Sequence, residues 1–484
     1  MDASLWPEGR APSIVEGVLV TLLSIMLVLQ LLDYPVTDDP DPDGYVTYAN
    51  HLTSTGTLLP DSRRLPGYPA FLSLVSKLSS RPLARNVYWV QLGLYVVAVL
   101  AAWLVIRRLF GPLTALILLG IVAAPCYFSR MSVVMLPDVP YTILWLPIFV
   151  LIGWWVVVDD PPGGWTTLIP LGVGLFALQA IRPTTMPLAL LFVPALILAI
   201  WFARGDESAY GIRFRWGRGP ALWRVAGLFG VVIIVAVVSD LLLDTGARAY
   251  NVDVLAYRVS IFLPPATNTP ADERIEAAKG HFREVEGEPI EQARFLTYRT
   301  FVFYDELKRE DVLAVWQGRL LARPFLYVGS ILDNLRLTHY LIARRLVPFF
   351  LDLGHMSLFV EYFPRDDGSP AATLFRRTGL LVMEQQPFPA NYPVAVEAAW
   401  ALLRLATVWG LAGLGVWQLG RRMPELTIAM TILGALFVLT TAATNTADVR
   451  YVLPFVPLVY LAEAIGLAWL VEAMVARSRQ AGEG

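Results

Sequence analysis

Apolar runs about as long as a bilayer is thick recur along this chain, and they constrain its fold more than any other feature. Roughly 20 apolar residues in a helix span the hydrocarbon layer. In lipid only helices or closed barrels satisfy every backbone N–H and C=O. Runs of this kind fall at 14–32, 87–106, 112–128, 139–158, 165–181, 186–202, 225–243, 398–419, 426–441 and 451–470. Of the 484 residues, 56% are hydrophobic and 16% charged, and mean hydropathy is +0.56. That is too apolar for an ordinary soluble chain. The expected fold is an all-α polytopic membrane protein with about ten transmembrane helices. The first run lacks a strongly basic leader and a small-x-small cleavage site, and it is long for a signal segment. It reads as a retained first helix.

Short loops give the orientation. Under this count Arg107-Arg108, then Arg204, Arg213, Arg215, Arg218 and Arg224, then Arg421-Arg422, then Arg477 and Arg479 fall on one side. The positive-inside rule makes that side, and both termini, cytoplasmic, in a plasma (inner) membrane. The first loop (33–85), Asp138, Arg182 and Asp448-Val449-Arg450 then face the periplasm or exterior. Three parts follow: an N-terminal transmembrane module over 1–243, an outer interfacial helical segment over 244–392, and C-terminal transmembrane helices over 393–484. Amphipathic stretches at 272–285, 290–307, 311–323 and 327–341, separated by Gly and Pro, make the outer segment mainly helical.

Several function classes are unsupported. A net charge of −2 implies no nucleic-acid partner. The single Cys126 leaves no thiol cluster, and His51, His281, His339 and His355 have no metal-ligand spacing. No glycine-rich phosphate loop sits between a strand and a helix.

The chemistry concentrates in the first outer loop. Asp38-Asp39-Pro40-Asp41-Pro42-Asp43-Gly44-Tyr45 is an acidic turn that opens a short helix, in which Tyr45, Tyr48, Ala49 and Leu52 follow at helical spacing. Arg63-Arg64-Leu65-Pro66-Gly67-Tyr68-Pro69 is a basic turn leading into a second interfacial helix. Charges at a bilayer rim are costly and usually functional. The anions can take a proton from a hydroxyl, and a guanidinium can hold a phosphate by two parallel hydrogen bonds. Asp38 and Asp39 read as solvated capping residues, and one of Arg63 and Arg64 as a headgroup contact. Asp138, between Pro137 and Pro140, is either a helix cap or part of the same outer cluster. Arg182 stands alone between two apolar runs, where burial would cost about 2.5–3.5 kcal/mol without an anion or water. Asp448-Val449-Arg450-Tyr451 is either a structural ion pair or a further contribution from the last helix.

With these residues the chain resembles the GT-C superfamily of polytopic glycosyltransferases, the branch akin to protein O-mannosyltransferases and the lipid A aminoarabinose transferase. The resemblance rests on Asp41 four before Tyr45, Tyr48-Ala49, Arg64-Leu65-Pro66-Gly67-Tyr68-Pro69, Asp138, Arg182-Pro183 and Arg450-Tyr451-Val452-Leu453-Pro454. It covers the first two hundred or so residues best and implies a sugar transferred from a polyprenyl-phosphate donor. Asp41 corresponds to the family's first-loop catalytic aspartate. Pro42 stands where the family often has a second acid, which leaves Asp43 as a rival for that role. Arg64 corresponds to the residue that binds the lipid phosphate, and Asp138 to the family's outer acid. Arg63, Arg182 and Arg450 are further phosphate candidates, and Tyr45, Tyr68 and Tyr451 line the expected substrate pocket. A lipid phosphate leaves as an anion, so the reaction needs a base for the acceptor and cations for the leaving group. Back-side attack gives inversion. Asp138 would orient an arginine, or help hold a divalent cation if one binds. The acceptor, whether lipid, glycan or protein, is not carried over.

Two rivals fit the same composition. A secondary transporter also has about ten helices and intramembrane charges, but usually near the midplane on broken helices. A lipid-linked polysaccharide polymerase or ligase would share the donor class and differ in acceptor.

Overall fold

The computed structural model describes residues 13–32, 42–59, 64–123, 137–157, 164–182, 185–202, 218–243, 247–286, 307–332, 335, 394–444 and 455–483. Among them every regular element is helical. The elements are α1 (Ile14–Leu32), α2 (Pro42–Thr55), α3 (Gly67–Ser76), α4 (Leu83–Phe110), α5 (Pro112–Ala123), α6 (Asp138–Val157), α7 (Leu168–Ile181), α8 (Thr185–Phe202) and α9 (Arg218–Leu242). Then come α10 (Ala247–Phe262), α11 (Pro270–Glu286), α12 (Arg309–Ala322), α13 (324–332), α14 (Val394–Arg422), α15 (Pro424–Thr444) and α16 (Val456–Glu483).

Over its described residues each apolar run falls on a helix, and the fold is that of an all-α membrane protein. Among the described residues three helices are long and apolar enough to cross a bilayer: Leu83–Phe110, Leu222–Leu242 and Val456–Ala481. Five shorter apolar helices accompany them: Ile14–Leu29, Pro112–Ala123, Leu168–Ile181, Leu188–Ile200 and Thr427–Leu439. The run at 165–181 begins as a 3-10 turn over Gly164–Thr167 before α7 proper. The last helix continues well beyond the expected 470, to Glu483.

Side chains at the helix ends fix the register. The Tyr88 hydroxyl donates to the Leu31 carbonyl, setting the start of α4 beside the end of α1. At the opposite end Arg107 Nε lies 2.5 Å from Glu16 Oε1. These contacts make α1 and α4 antiparallel. Leu419 and Met423 pack with Trp103, Ile106 and Phe110, so α14 ends and α15 begins at the Arg107 end. A larger core joins α6, α7, α8, α9 and α15 through Trp145, Phe149, Leu175, Phe192, Leu228 and Leu433. Trp145 stacks on Phe437 at 5.9 Å, and each lies seven residues in, from the start of α6 and the end of α15. The start of α6 and the end of α15 therefore share one end of the bundle.

The segment between α9 and α14 packs three helices, α10, α11 and α12, around Tyr257, Ile261, Ile275, Val312 and Val315. Thr269 caps α11: its hydroxyl accepts from the Asp272 backbone N–H at 3.1 Å, with Pro270 as first helical residue. The expected stretches 272–285 and 311–323 correspond to α11 and α12. Arg323 breaks the helix, and α13 follows from Pro324, earlier than the expected 327. The stretch 290–307 lies almost wholly outside the described residues. Helix α10 was not expected, because Arg248, Asn251, Asp253 and Arg258 interrupt its apolar pattern.

Candidate active site

Helices α2 and α3 fold back on the first half of α4, burying Tyr45, Ala49, Tyr68, Leu72 and Val75 against Val87. Pro66 and Gly67 turn the chain into α3, and a 2.7 Å bond between Thr53 Oγ1 and Ser73 Oγ holds the two short helices together. Gly67 makes a close approach. A Cβ there would sit 2.6 Å from the carbonyl oxygen of Ala180, so the start of α3 lies directly on the last turn of α7.

That contact brings two arginines to one end of the bundle. Arg64, three residues before Gly67, sets its guanidinium 4.6 Å from the centre of the Tyr45 ring and donates from Nη1 to the Tyr45 hydroxyl at 3.3 Å. Tyr45 meets Tyr68 edge-on at 5.3 Å. A Cβ on Gly44 would lie 3.5 Å from Arg64 Nε, so the first turn of α2 runs beside that side chain. Arg182, two residues after Ala180, closes α7 and lies 5.5 Å from the centre of the Tyr141 ring. The Thr185 hydroxyl donates to the Arg182 carbonyl at 3.0 Å, and Gln179 Oε1 accepts from the Met186 N–H at 3.2 Å. These bonds fix the α7–α8 turn that presents Arg182.

Of the expected site residues, Arg64, Tyr45 and Tyr68 contact one another, and Arg182 lies at the same end of the bundle against Tyr141. Asp43 lies in the first turn of α2, one residue before Gly44, and Asp138 is the first residue of α6, one turn before Tyr141. Asp41, Arg63, Arg450 and Tyr451 lie outside the described residues. Tyr141, wholly buried under Arg182, is a member that the sequence reading did not single out. Its spacing of three from Asp138 was the available signal. Among the described residues no three His, Cys, Asp or Glu side chains gather as a metal site.

The described arginines of the opposite end are engaged differently. Arg107 pairs with Glu16, and Arg224 Nη1 donates to the Val156 carbonyl at 3.4 Å, at the far end of α6. Arg421 lies 5.2 Å from the Trp417 ring centre. The helix-end arginines thus divide, with Arg64 and Arg182 at the end where α6 starts and Arg107, Arg224 and Arg421 at the other.

The segment of α10 to α13 docks at the same end as Arg64 and Arg182. Arg258 of α10, 2% exposed, donates from Nη1 to the Ala442 carbonyl in the last turn of α15 and from Nη2 to the Ser330 carbonyl of α13 at 3.5 Å. Burial pushes its guanidinium down to about 10, against the opposing influence of Tyr327. Arg319, wholly buried, joins α10, α11 and α12. It donates to Asp272 Oδ1 (2.8 Å), Glu276 Oε1 (2.9 Å) and the carbonyls of Ser260 (2.7 Å) and Leu263 (2.9 Å). Burial pushes the Asp272 carboxyl up, but Arg319, Thr269 and Thr267 together hold it below its ordinary value. Sequence reasoning missed both arginines, although Thr269-Pro270-Ala271-Asp272 carries a capping signature.

No family model matches the chain, and no curated protein matches it. Among solved structures it is similar to the oligosaccharyltransferase AglB from Archaeoglobus fulgidus in complex with an inhibitory peptide and a dolichol-phosphate. There the TM-score is 0.49 and identity 11%, over 97% of this chain and 52% of that one. The apo form of the Archaeoglobus fulgidus oligosaccharyltransferase gives a TM-score of 0.48 at 12% identity, over 97% and 52%. Its complex with Zn and sulfate gives 0.47 at 13%, over 95% and 50%. The chain spans about half the length of these enzymes. At this TM-score and identity the likeness carries neither a residue role nor a substrate to this chain.

Proposed function

We propose that this chain is an integral-membrane glycosyltransferase that moves a sugar from a polyprenyl-phosphate donor to an acceptor hydroxyl. One observation carries the reading. Two guanidiniums, each seated against a tyrosine ring, stand at one bundle end with the first turns of α2 and α6, which carry Asp43 and Asp138. The motif resemblance supplies the reaction class.

In this reading the acceptor oxygen attacks the anomeric carbon from the face opposite the phosphate. Its proton passes to a carboxylate, Asp41 or Asp43. The bond from the anomeric carbon to the phosphate oxygen breaks, and the phosphate leaves with the electron pair. Arg64, with Arg182 and Arg450, stabilises the charge that grows there. Tyr45 holds Arg64 at a fixed angle, which limits the reorganisation needed as the bond breaks. Asp138 orients an arginine or contributes to a divalent-cation site. The anomeric centre inverts. The site end is extracytoplasmic, with the arginine-rich end and both termini in the cytoplasm.

The test is purified protein in detergent with a panel of polyprenyl-phosphate sugars, products read by mass spectrometry against envelope lipids, glycans and proteins. Transfer from one donor, abolished by Asp41→Asn or Asp43→Asn with folding intact, is the expected result. Solute uptake into vesicles without any sugar transfer would sink the proposal and favour a transporter.

A further inference from the structure

Helix α13 carries an apolar stripe whose surroundings the transferase reading leaves unexplained. Phe325 (89% exposed), Val328 and Leu332 recur at intervals of three and four, and so share one helical face. Leu321, 81% exposed at the end of α12, precedes the stripe, and Arg323 is exposed between them. The other face of α13 is held. Tyr327 lies 6.0 Å from the Arg258 guanidinium, and the buried Ser330 gives its carbonyl to the same group.

Arg258 also fixes the depth of α13. Its other donor reaches the Ala442 carbonyl in the last turn of α15. The apolar stretch of α15, Thr427–Leu439, ends three residues before Ala442, a rise of about 4.5 Å. One guanidinium therefore holds α13 level with the point where a bilayer-embedded helix leaves its apolar stretch. At that depth an outward row of Phe, Val and Leu meets acyl chains, and a neighbouring arginine meets lipid phosphates.

We infer that α13 is an interfacial anchor, its Phe325–Val328–Leu332 face seated at the headgroup–acyl boundary on the bundle end that holds Arg64 and Arg182. The partner is the bilayer itself. This anchoring holds α10, α11 and α12 against the membrane surface, and it stands independently of the transferase reading.

The test uses full-length protein carrying Cys126→Ser and one added cysteine, labelled with an environment-sensitive fluorophore. The protein is reconstituted in vesicles of equal parts phosphatidylcholine and phosphatidylglycerol. Lipid brominated high on its acyl chains serves as quencher. Labels at Phe325→Cys and Val328→Cys should lose emission nearly as strongly as a label at Leu22→Cys, on the exposed face of α1. A label at the exposed Glu310→Cys, at the start of α12, should lose almost none. Quenching at Phe325→Cys no greater than at Glu310→Cys would overturn the inference. That holds whether the emission is water-like, meaning a solvated face, or dry, meaning a face covered by protein. Phe325 is exposed and makes little packing of its own, so its replacement leaves the fold intact. Val328→Cys gives an independent reading from the same stripe.

Discussion

Arg64 is held by geometry that a lysine cannot reproduce. Its planar guanidinium both covers the Tyr45 ring and donates to the Tyr45 hydroxyl. Arg64→Lys keeps the charge and loses the fork. Sugar transfer should fall by about 100-fold, the scale of removing one donor to a developing oxyanion. Tyr45→Phe removes the hydroxyl that accepts from Arg64 at 3.3 Å and keeps the ring. Its effect should be about 2- to 10-fold, felt in KM for the lipid donor, as for one hydrogen bond. Steady-state kinetics on both variants checks the pair, and equal losses would mean that Arg64 acts through packing alone. Arg182 was legible in the sequence because a lone charge between two apolar runs is expensive. Its tyrosine partner was not, since Tyr141 lies forty-one residues away in an aromatic-rich run with nothing to mark it. Arg258 and Arg319 were illegible for a related reason. Nothing in the outer segment distinguishes a buried arginine from a solvated one until the helices that enclose it are packed.

At the scale of elements, close backbone approaches do what side-chain patterns cannot announce. The α3–α7 contact requires Gly67, because any Cβ there meets the Ala180 backbone rather than a side chain able to move aside. Gly67→Val should push α3 off α7 and lower transfer even though no reacting group changes. The crossing of α14 and α16 is tighter still. A Cβ at Gly415 would overlap the Ala462 carbonyl, and one at Gly466 would overlap the Leu411 carbonyl. Gly→Ala within a helix ordinarily stabilises by about 1 kcal/mol. Here the sign should reverse, with a cost of about 1–3 kcal/mol for overpacking. A thermal melt in detergent of Gly415→Ala reads it, and a raised midpoint would contradict the crossing. Helix positions were legible because lipid demands long apolar runs, and the run at 14–32 coincides with α1. Helix α10 was not, since it buries polar residues against other protein and so lacks a simple period.

At the scale of the whole molecule, the wholly buried Arg319 ties α10, α11 and α12 together, and the titration of the carboxylate paired with it exposes that role. Asp272 is pulled two ways: burial raises its pKa, while Arg319, Thr269 and Thr267 lower it, and the net result is a depressed value. Asp311 is likewise depressed, chiefly by Arg274, against a smaller effect of burial. A carboxylate depressed in the folded state contributes stability above its unfolded pKa and loses it as pH falls through the folded value. The stabilisation that these two carboxylates contribute should therefore be fully present above the ordinary carboxyl value of 3.8 and be lost as pH falls below it. Arg319→Met removes the main compensation and leaves Asp272 buried with its largest remaining influence acting upward. At neutral pH that should cost about 3–5 kcal/mol, the scale of breaking one side of a buried pair. The pH dependence should also invert. With its folded pKa now above the unfolded one, Asp272 favours the folded state in acid, so mild acidification should raise the variant's melting temperature. Adding Asp272→Leu to Arg319→Met removes the orphaned carboxyl, recovering stability at neutral pH and abolishing the inverted trend. If melting curves of Arg319→Met at pH 7 and pH 5 instead coincide, Asp272 does not depend on Arg319, and the outer helices are held by their apolar core alone.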